Sequence, residues 1–386
     1  MQTSQDRILT THVGSLPRNP TLADLLIREE RGEAVDRAGL TREIDDAVAQ
    51  IVAKQIEARV DVINDGEQPR VGFQTYIAMR MEGFGGVSKR PRPLDYAEFP
   101  EFAAQTARRF PHRSKVSDAP MAIGEVRYKN LSEASRECQL FVATSNKFAG
   151  KYADRFMTAP SPGVIATTML NGYYDSHERY LSALARELRK EYELIARAGL
   201  VLQIDAPDLA MERTMLYQDK TIPEFLAIAE LHVAALNEAL AGIPADQVRL
   251  HCCWGNWDGP HMHDIPLVDI LPVLYQAHVG ALSLEFANAR HQHEYRAFGQ
   301  HRLPDHMLLL PGVIDSTSNY VEHPEVIADR IGAAVAAVGD RSRVIASTDC
   351  GFGTFSGYEF VAPDVVWAKL KSLAAGAELA TQRLWR

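Results

Sequence analysis

A chain of 386 residues with 46% hydrophobic content can bury a large core, either as one barrel-sized domain or as two ordinary ones. Its 41 basic and 50 acidic residues leave a formal net charge of −9, which argues against a nucleic-acid or anionic-membrane surface. No apolar run reaches the roughly 18 residues of a membrane span, the first residues lack a signal-peptide core, and four cysteines are too few for a disulfide framework; a cytoplasmic protein is expected.

In chain order, short β-branched apolar runs alternate with longer stretches of helical period. TTHVGSLP (10–17) and VDVINDGE (60–67) flank an amphipathic stretch at 42–58. The segment 87–115 differs, being rich in proline, arginine and aromatics without a clean period. It is expected to leave the main fold as a lid or as the contact surface of a homo-oligomer. PMAIGEV (120–126) is the weakest strand candidate, and GVIATTM (163–169) reads as the next. Helical stretches at 177–198 and 222–241 precede LVLQIDAP (200–207) and VRLHCCW (248–254). ALSLEFA (281–287), LLLPGVID (308–315) and RVIASTDC (343–350) follow, the last two separated by a helical stretch at 324–338.

Nine strand candidates alternating with helices, with no composition break, predict an α/β chain folded as a single-domain (β/α)8 TIM barrel over 1–386, one run being surplus. In such a barrel the chemistry gathers where strands end, and these strands end in polar residues: Ser15, Asp65 and Glu67, Glu125, Asp205 and Asp208, His251 and Cys253, Glu285, Asp315, and Asp349 with Cys350.

Side chains alternate along a strand, so His251 and Cys253 share a face that Cys252 does not. Cys350 stands before a Gly-Phe-Gly turn, and Glu285 ends an apolar run where a lone carboxylate is costly. One imidazole, two thiolates and one carboxylate form a tetrahedral set suited to Zn²⁺, with buried structural cysteines as the alternative.

The segments TTHVGSLPR, INDGEQ, LQIDAPDL, LHCCWGN, LSLEFA and ASTDCGFGTF fall in the order and spacing of the catalytic barrel of cobalamin-independent methionine synthase. The chain resembles the short single-barrel members of that superfamily, which includes epoxyalkane:coenzyme M transferase. This resemblance implies zinc held by His251, Cys253, Glu285 and Cys350, and a substrate thiol activated on it as a thiolate. It also implies substrate contacts from Gly14, Ser15, Glu67 and Asp205.

Two departures bear on the substrates. The family's Ile-Asp-Glu-Pro reads Ile204-Asp205-Ala206-Pro207 here, and the loop after Cys253 is longer, carrying Trp254, Trp257, His261 and His263. The two tryptophans are candidates to line the substrate pocket, with simple packing as the alternative. His261 and His263 are candidate proton donors, and Arg18 or Arg70 candidate cations for an acidic substrate.

The activity so implied is zinc-dependent alkylation of a small-molecule thiol, foremost methyl transfer to homocysteine or a related thiol. The alkyl donor would be a methyl-folate, a methyl-corrinoid protein or an epoxide. Addition of the thiol to an epoxide is the alternative reaction, and a non-catalytic barrel with structural zinc a third reading.

Overall fold

The computed structural model describes residues 1–115 and 118–385. Among the described residues there are ten strands: β1 (Leu9–Thr10), β2 (Val62–Ile63), β3 (Met81–Gly85), β4 (Met121–Tyr128), β5 (Asp154–Pro160), β6 (Val201–Asp205), β7 (Val248–His251), β8 (Ala281–Leu284), β9 (Leu308–Ile314) and β10 (Ile345–Thr348). Eight of them form one parallel sheet in the order β1-β10-β9-β8-β7-β6-β5-β2. The sheet curls until its edges meet: Asp61 N–H donates to Thr10 O at 3.1 Å, and Thr10 N–H to the Asp61 carboxylate at 2.8 Å. The result is the expected TIM barrel.

Crossover helices cover the outside, and local sequence starts and stops them. Thr221 and Glu224 form a reciprocal capping box at the head of Ile222–Leu240, whose inner face buries Phe225, Val233 and Leu236. Ser176 caps His177–Arg197, and Gly339, at φ +81°, ends Pro324–Val338 with a left-handed residue. Each fully buried Leu, Val or Phe on these faces contributes roughly 1.5–3 kcal/mol, which holds the helices to the barrel.

Two strand expectations change. GVIATTM is the helix Pro162–Thr168, with all seven residues buried. Ser161 caps it and Pro162 occupies its first turn, while the barrel strand is the preceding DRFMTAP of β5. PMAIGEV forms most of β4, which pairs antiparallel with β3 outside the barrel and is the surplus run. Glu125 therefore does not join the strand ends; it lies on the exposed side of this hairpin beside Arg127.

Beneath the barrel mouth the core turns polar, and His12 is fully hydrogen-bonded there. His12 Nε2 faces Gln55 Oε1 at 2.8 Å while its Nδ1 accepts from Gly14 N–H at 3.2 Å, so the ring is neutral and both nitrogens are used. Burial pushes its pKa down to about 4. The unfolded chain takes up that proton near pH 6.5, so the stability supplied by neutral His12 is present above that value and falls as pH drops toward 4. The loss is on the order of 3 kcal/mol. Denaturant midpoints between pH 4 and 6.5 should fall more steeply for the wild type than for His12→Asn; parallel profiles would remove His12 from this role.

Candidate active site

Strand β7 sets the first two residues of the site. Leu250 and Cys252, both fully buried, alternate with Arg249, His251 and Cys253. Arg249 fixes the strand from below, donating to Gln203 Oε1, Thr11 Oγ1 and His12 O while lying 3.6 Å over the Phe156 ring. His251 and Cys253 stand above it at the C-terminal end of the barrel.

Cys350 follows β10, where the register with β9 shifts between Ser347 and Thr348. The following Gly-Phe-Gly turn lies close against the loop after β1. Phe352 N–H donates to Ser15 O at 2.8 Å, and a Cβ on Gly353 would meet Leu16 O at 2.7 Å. Glu285 follows β8, and its loop is held by Asp349. That carboxylate accepts from the N–H groups of Phe286, Ala287 and Asn288 at 3.0, 2.9 and 2.8 Å. Asn288 Nδ2 in turn donates to Glu285 Oε2 at 2.8 Å.

These loops bring donor atoms from three strands together. The ligand atoms of His251, Cys253 and Cys350 lie within 4.8 Å of one another, and Glu285 Oε1 is 3.3 Å from Cys350 Sγ. His251 Nδ1 is buried without a hydrogen-bond partner among the described residues. The electrostatics of the four are those of a set that needs a cation. The hydrogen bond with Cys350 and the nearby His251 hold the Cys253 thiol well below its ordinary range. Burial, with the Cys253 charge, pushes Glu285 up to about 8 and Cys350 well above its usual value. Burial alone would lower His251, but the Cys253 thiolate outweighs it and raises the ring to about 9. Four buried donors compete for protons that one divalent ion would displace, so the residues present fit Zn²⁺.

His251, Cys253 and Cys350 border a cavity of about 140 Å³ whose walls include Ser15, Glu67, Asp205 and Arg90. Glu67 adopts a left-handed backbone at φ +54°. Its Oε1 accepts from Thr158 Oγ1 at 2.9 Å, while Oε2 is buried without a partner. Gly14 makes room for this carboxylate: at φ +140°, an added Cβ would stand 2.6 Å from Glu67 Oε1. Burial raises Asp205 to about 8, although Gln203 Nε2 donates to it at 2.7 Å.

Other expected contacts lie elsewhere. Trp254 is buried in packing, its indole N–H donating to Ile265 O and its ring stacked on His291, so it lines none of this cavity. Trp257 packs under the excursion, against Tyr96 and Phe102 at centroid distances of 5.3 and 5.6 Å. His263 is exposed and paired with Glu98, away from the cavity. His261 faces a neighbouring cavity, with both ring nitrogens hydrogen-bonded to Asp264 and Trp257 O. Neither histidine borders the 140 Å³ cavity itself, and the cavity that His261 faces also reaches Glu285 and Cys350.

Arg18 is committed to the carbonyls of Gly353 and Glu67, and Arg70 to Glu137 and Thr158. The cation that borders the cavity is Arg90, from the excursion. It pairs with Glu212, leaves only a tenth of its side chain exposed, and has a buried Nε without a partner. Nothing in the local sequence distinguishes it from the arginines around it. Beyond Arg90 a larger cavity of about 510 Å³ opens between the excursion and the barrel mouth, bordered by Arg92, Arg113, Trp257 and Tyr358.

Comparison with known proteins agrees with this architecture. The chain is 25% identical over 407 residues to 2-hydroxypropyl-CoM lyase of Xanthobacter autotrophicus, covering 98% of this chain and 96% of that one. It is 24% identical over 380 residues to methionine synthase of Thermococcus kodakarensis, covering 98% and 94%. A B12-independent methionine synthase from a Shewanella species, solved in complex with selenomethionine, shares the fold with a TM-score of 0.73 at 21% identity, covering 98% and 99%. The profile of the family described as "Cobalamin-independent synthase, Catalytic domain" matches residues 135–365, which include His251, Cys253, Glu285 and Cys350. With more than half its length so matched, the chain belongs to the cobalamin-independent methionine synthase catalytic-domain family.

Proposed function

We propose that this chain is a zinc-dependent S-alkyltransferase, acting on a small zwitterionic thiol such as homocysteine, with His251, Cys253, Glu285 and Cys350 as the zinc ligands. The observation that carries this reading is the convergence of His251, Cys253 and Cys350 on a small cavity walled by two buried carboxylates and an arginine, with Glu285 set against Cys350 at 3.3 Å. When bound there, zinc supplies the positive charge that stabilises a substrate thiolate at neutral pH.

The chain's own residues hold the rest of the substrate. Glu67, with an unpartnered buried oxygen, and Asp205 suit an ammonium group, and Arg90 suits an anionic one. Phe73, Met211 and Phe355 line the same cavity and exclude water, which strengthens these charge contacts. The alkyl donor approaches from the larger cavity, whose arginines suit an acidic donor. In the transfer, a sulfur–carbon bond forms as the carbon's bond to the donor breaks; the donor atom keeps the bonding pair, and the thiol proton leaves to solvent, which returns one to a nitrogen leaving group such as that of a folate.

Thiol addition to an epoxide is the second reading, favoured by the near-full-length similarity to 2-hydroxypropyl-CoM lyase and by Arg90 beside the thiol cavity. The experiment offers zinc-loaded protein a panel of thiols with methyl-folate, methylcobalamin or epoxypropane, and follows products by mass spectrometry. Methylated homocysteine supports the first reading and a hydroxyalkyl thioether the second. A panel that yields no thioether with any pair removes both.

A further inference from the structure

We propose that a divalent transition-metal ion binds between His261, Asp264 and His291, at a second site distinct from the His251–Cys253–Glu285–Cys350 cluster. Asp264 Oδ2 lies 2.9 Å from His261 Nδ1 and 3.0 Å from His291 Nε2, and all three ligand atoms fall within 4.8 Å of one another. Ligands about 2.1 Å from a metal in adjacent octahedral positions stand about 3 Å apart, so both edges match in length and the rings need only turn their nitrogens off Asp264 toward the ion. Two imidazoles and one carboxylate are the donor set used by divalent iron, and accepted by manganese, cobalt and zinc.

The far side of each ring is arranged as metal-binding histidines require. His291 Nδ1 faces Glu294 Oε2 at 2.9 Å, and Glu294 is itself fixed by Leu267 N–H at 2.8 Å. His261 Nε2 faces Trp257 O at 3.1 Å. A carboxylate behind one histidine and a backbone carbonyl behind the other would fix both tautomers with the metal-facing nitrogens free. Trp254 stacks on His291 at 4.1 Å and prevents the ring from swinging away, while His261 is held at φ +52°, a backbone that non-glycine residues rarely adopt.

Charge balance favours the same exchange. With every one of these hydrogen bonds made, each histidine donates from both nitrogens, so two imidazolium cations sit against the carboxylates of Asp264 and Glu294. Replacing the two metal-side protons by one divalent ion leaves the buried group neutral as before. Both histidines border a cavity of about 280 Å³ that gives the ion access and open coordination positions. The ion would tie the long loop after β7 to the loop after β8, beside the thiol site.

The test is metal stoichiometry on the whole chain, and it does not depend on the thiol chemistry. Protein loaded with Co²⁺ and dialysed against a weak chelator is expected to hold about two ions per chain. The first should show a near-ultraviolet thiolate-to-cobalt band, and the second only weak visible bands. His261→Gln and Asp264→Asn should each fall to about one ion while keeping the thiolate band. Wild-type protein that holds one ion, a second ion that strengthens the thiolate band, or two ions retained in both folded variants would each overturn the proposal. The wild-type spectrum alone decides should either variant fail to fold.

Discussion

Cys350→Ser should strip zinc from the chain and lower turnover by at least about a thousandfold, equivalent to roughly 4 kcal/mol of transition-state stabilisation. The expectation follows from where Cys350 stands. It reaches the cluster from β10, three strands along the barrel from the β7 pair, and its sulfur lies 3.3 Å from Glu285 Oε1. A hydroxyl in its place is a harder and weaker zinc ligand than a thiolate, and leaves the remaining donors without a fourth partner of the right kind. Cys252→Ser is the internal control. Cys252 is equally buried but points to the other side of the strand, so its substitution should leave metal content unchanged. Metal analysis and thioether production on both variants check this; full zinc and full activity in Cys350→Ser would contradict the ligand set.

Asp349→Ala should weaken zinc binding by about 10–100-fold, although Asp349 lies outside the proposed ligand set. Its carboxylate gathers three consecutive backbone N–H groups from the loop that carries Glu285, together with the Asn288 amide that reaches Glu285. Deleting it leaves several buried donors unpaired, at about 1–3 kcal/mol each, so global stability should fall by about 4 kcal/mol. Asp349→Asn preserves the shape with weaker acceptance and should lie between. Competition with a chromophoric chelator and denaturant unfolding provide the two readouts. A variant with wild-type zinc affinity would show that Glu285 holds its place without Asp349.

The strand ends were legible because the strand period is two. His251 and Cys253 could be paired, and Cys252 set aside, from alternation alone, and the buried β7 strand with Arg249 beneath His251 obeys that pattern. The helix Pro162–Thr168 was not legible as a helix. A short, fully buried, β-branched helix has the same apolar run as a core strand, and only the Ser161-Pro162 start signalled otherwise. The true strand β5 opens with Asp154-Arg155, whose charges disguise a segment buried from Phe156 onward. Proximity across loops was illegible altogether. Nothing in the sequence states that His291 and Trp254 stack, that Asp264 bridges two histidines, or that Arg90 of the excursion reaches the thiol cavity. Those contacts depend on how long loops return over the barrel, and local propensity carries no record of that.

The proposed function requires the four-residue cluster to receive a substrate thiol. X-ray absorption at the zinc edge, measured on zinc-loaded protein before and after addition of a turnover-competent thiol, tests it most directly. One more sulfur neighbour at the metal is expected after addition, and no change with the corresponding thioether. Zinc ligation that stays the same with a thiol the protein alkylates would rule out thiol capture at this cluster.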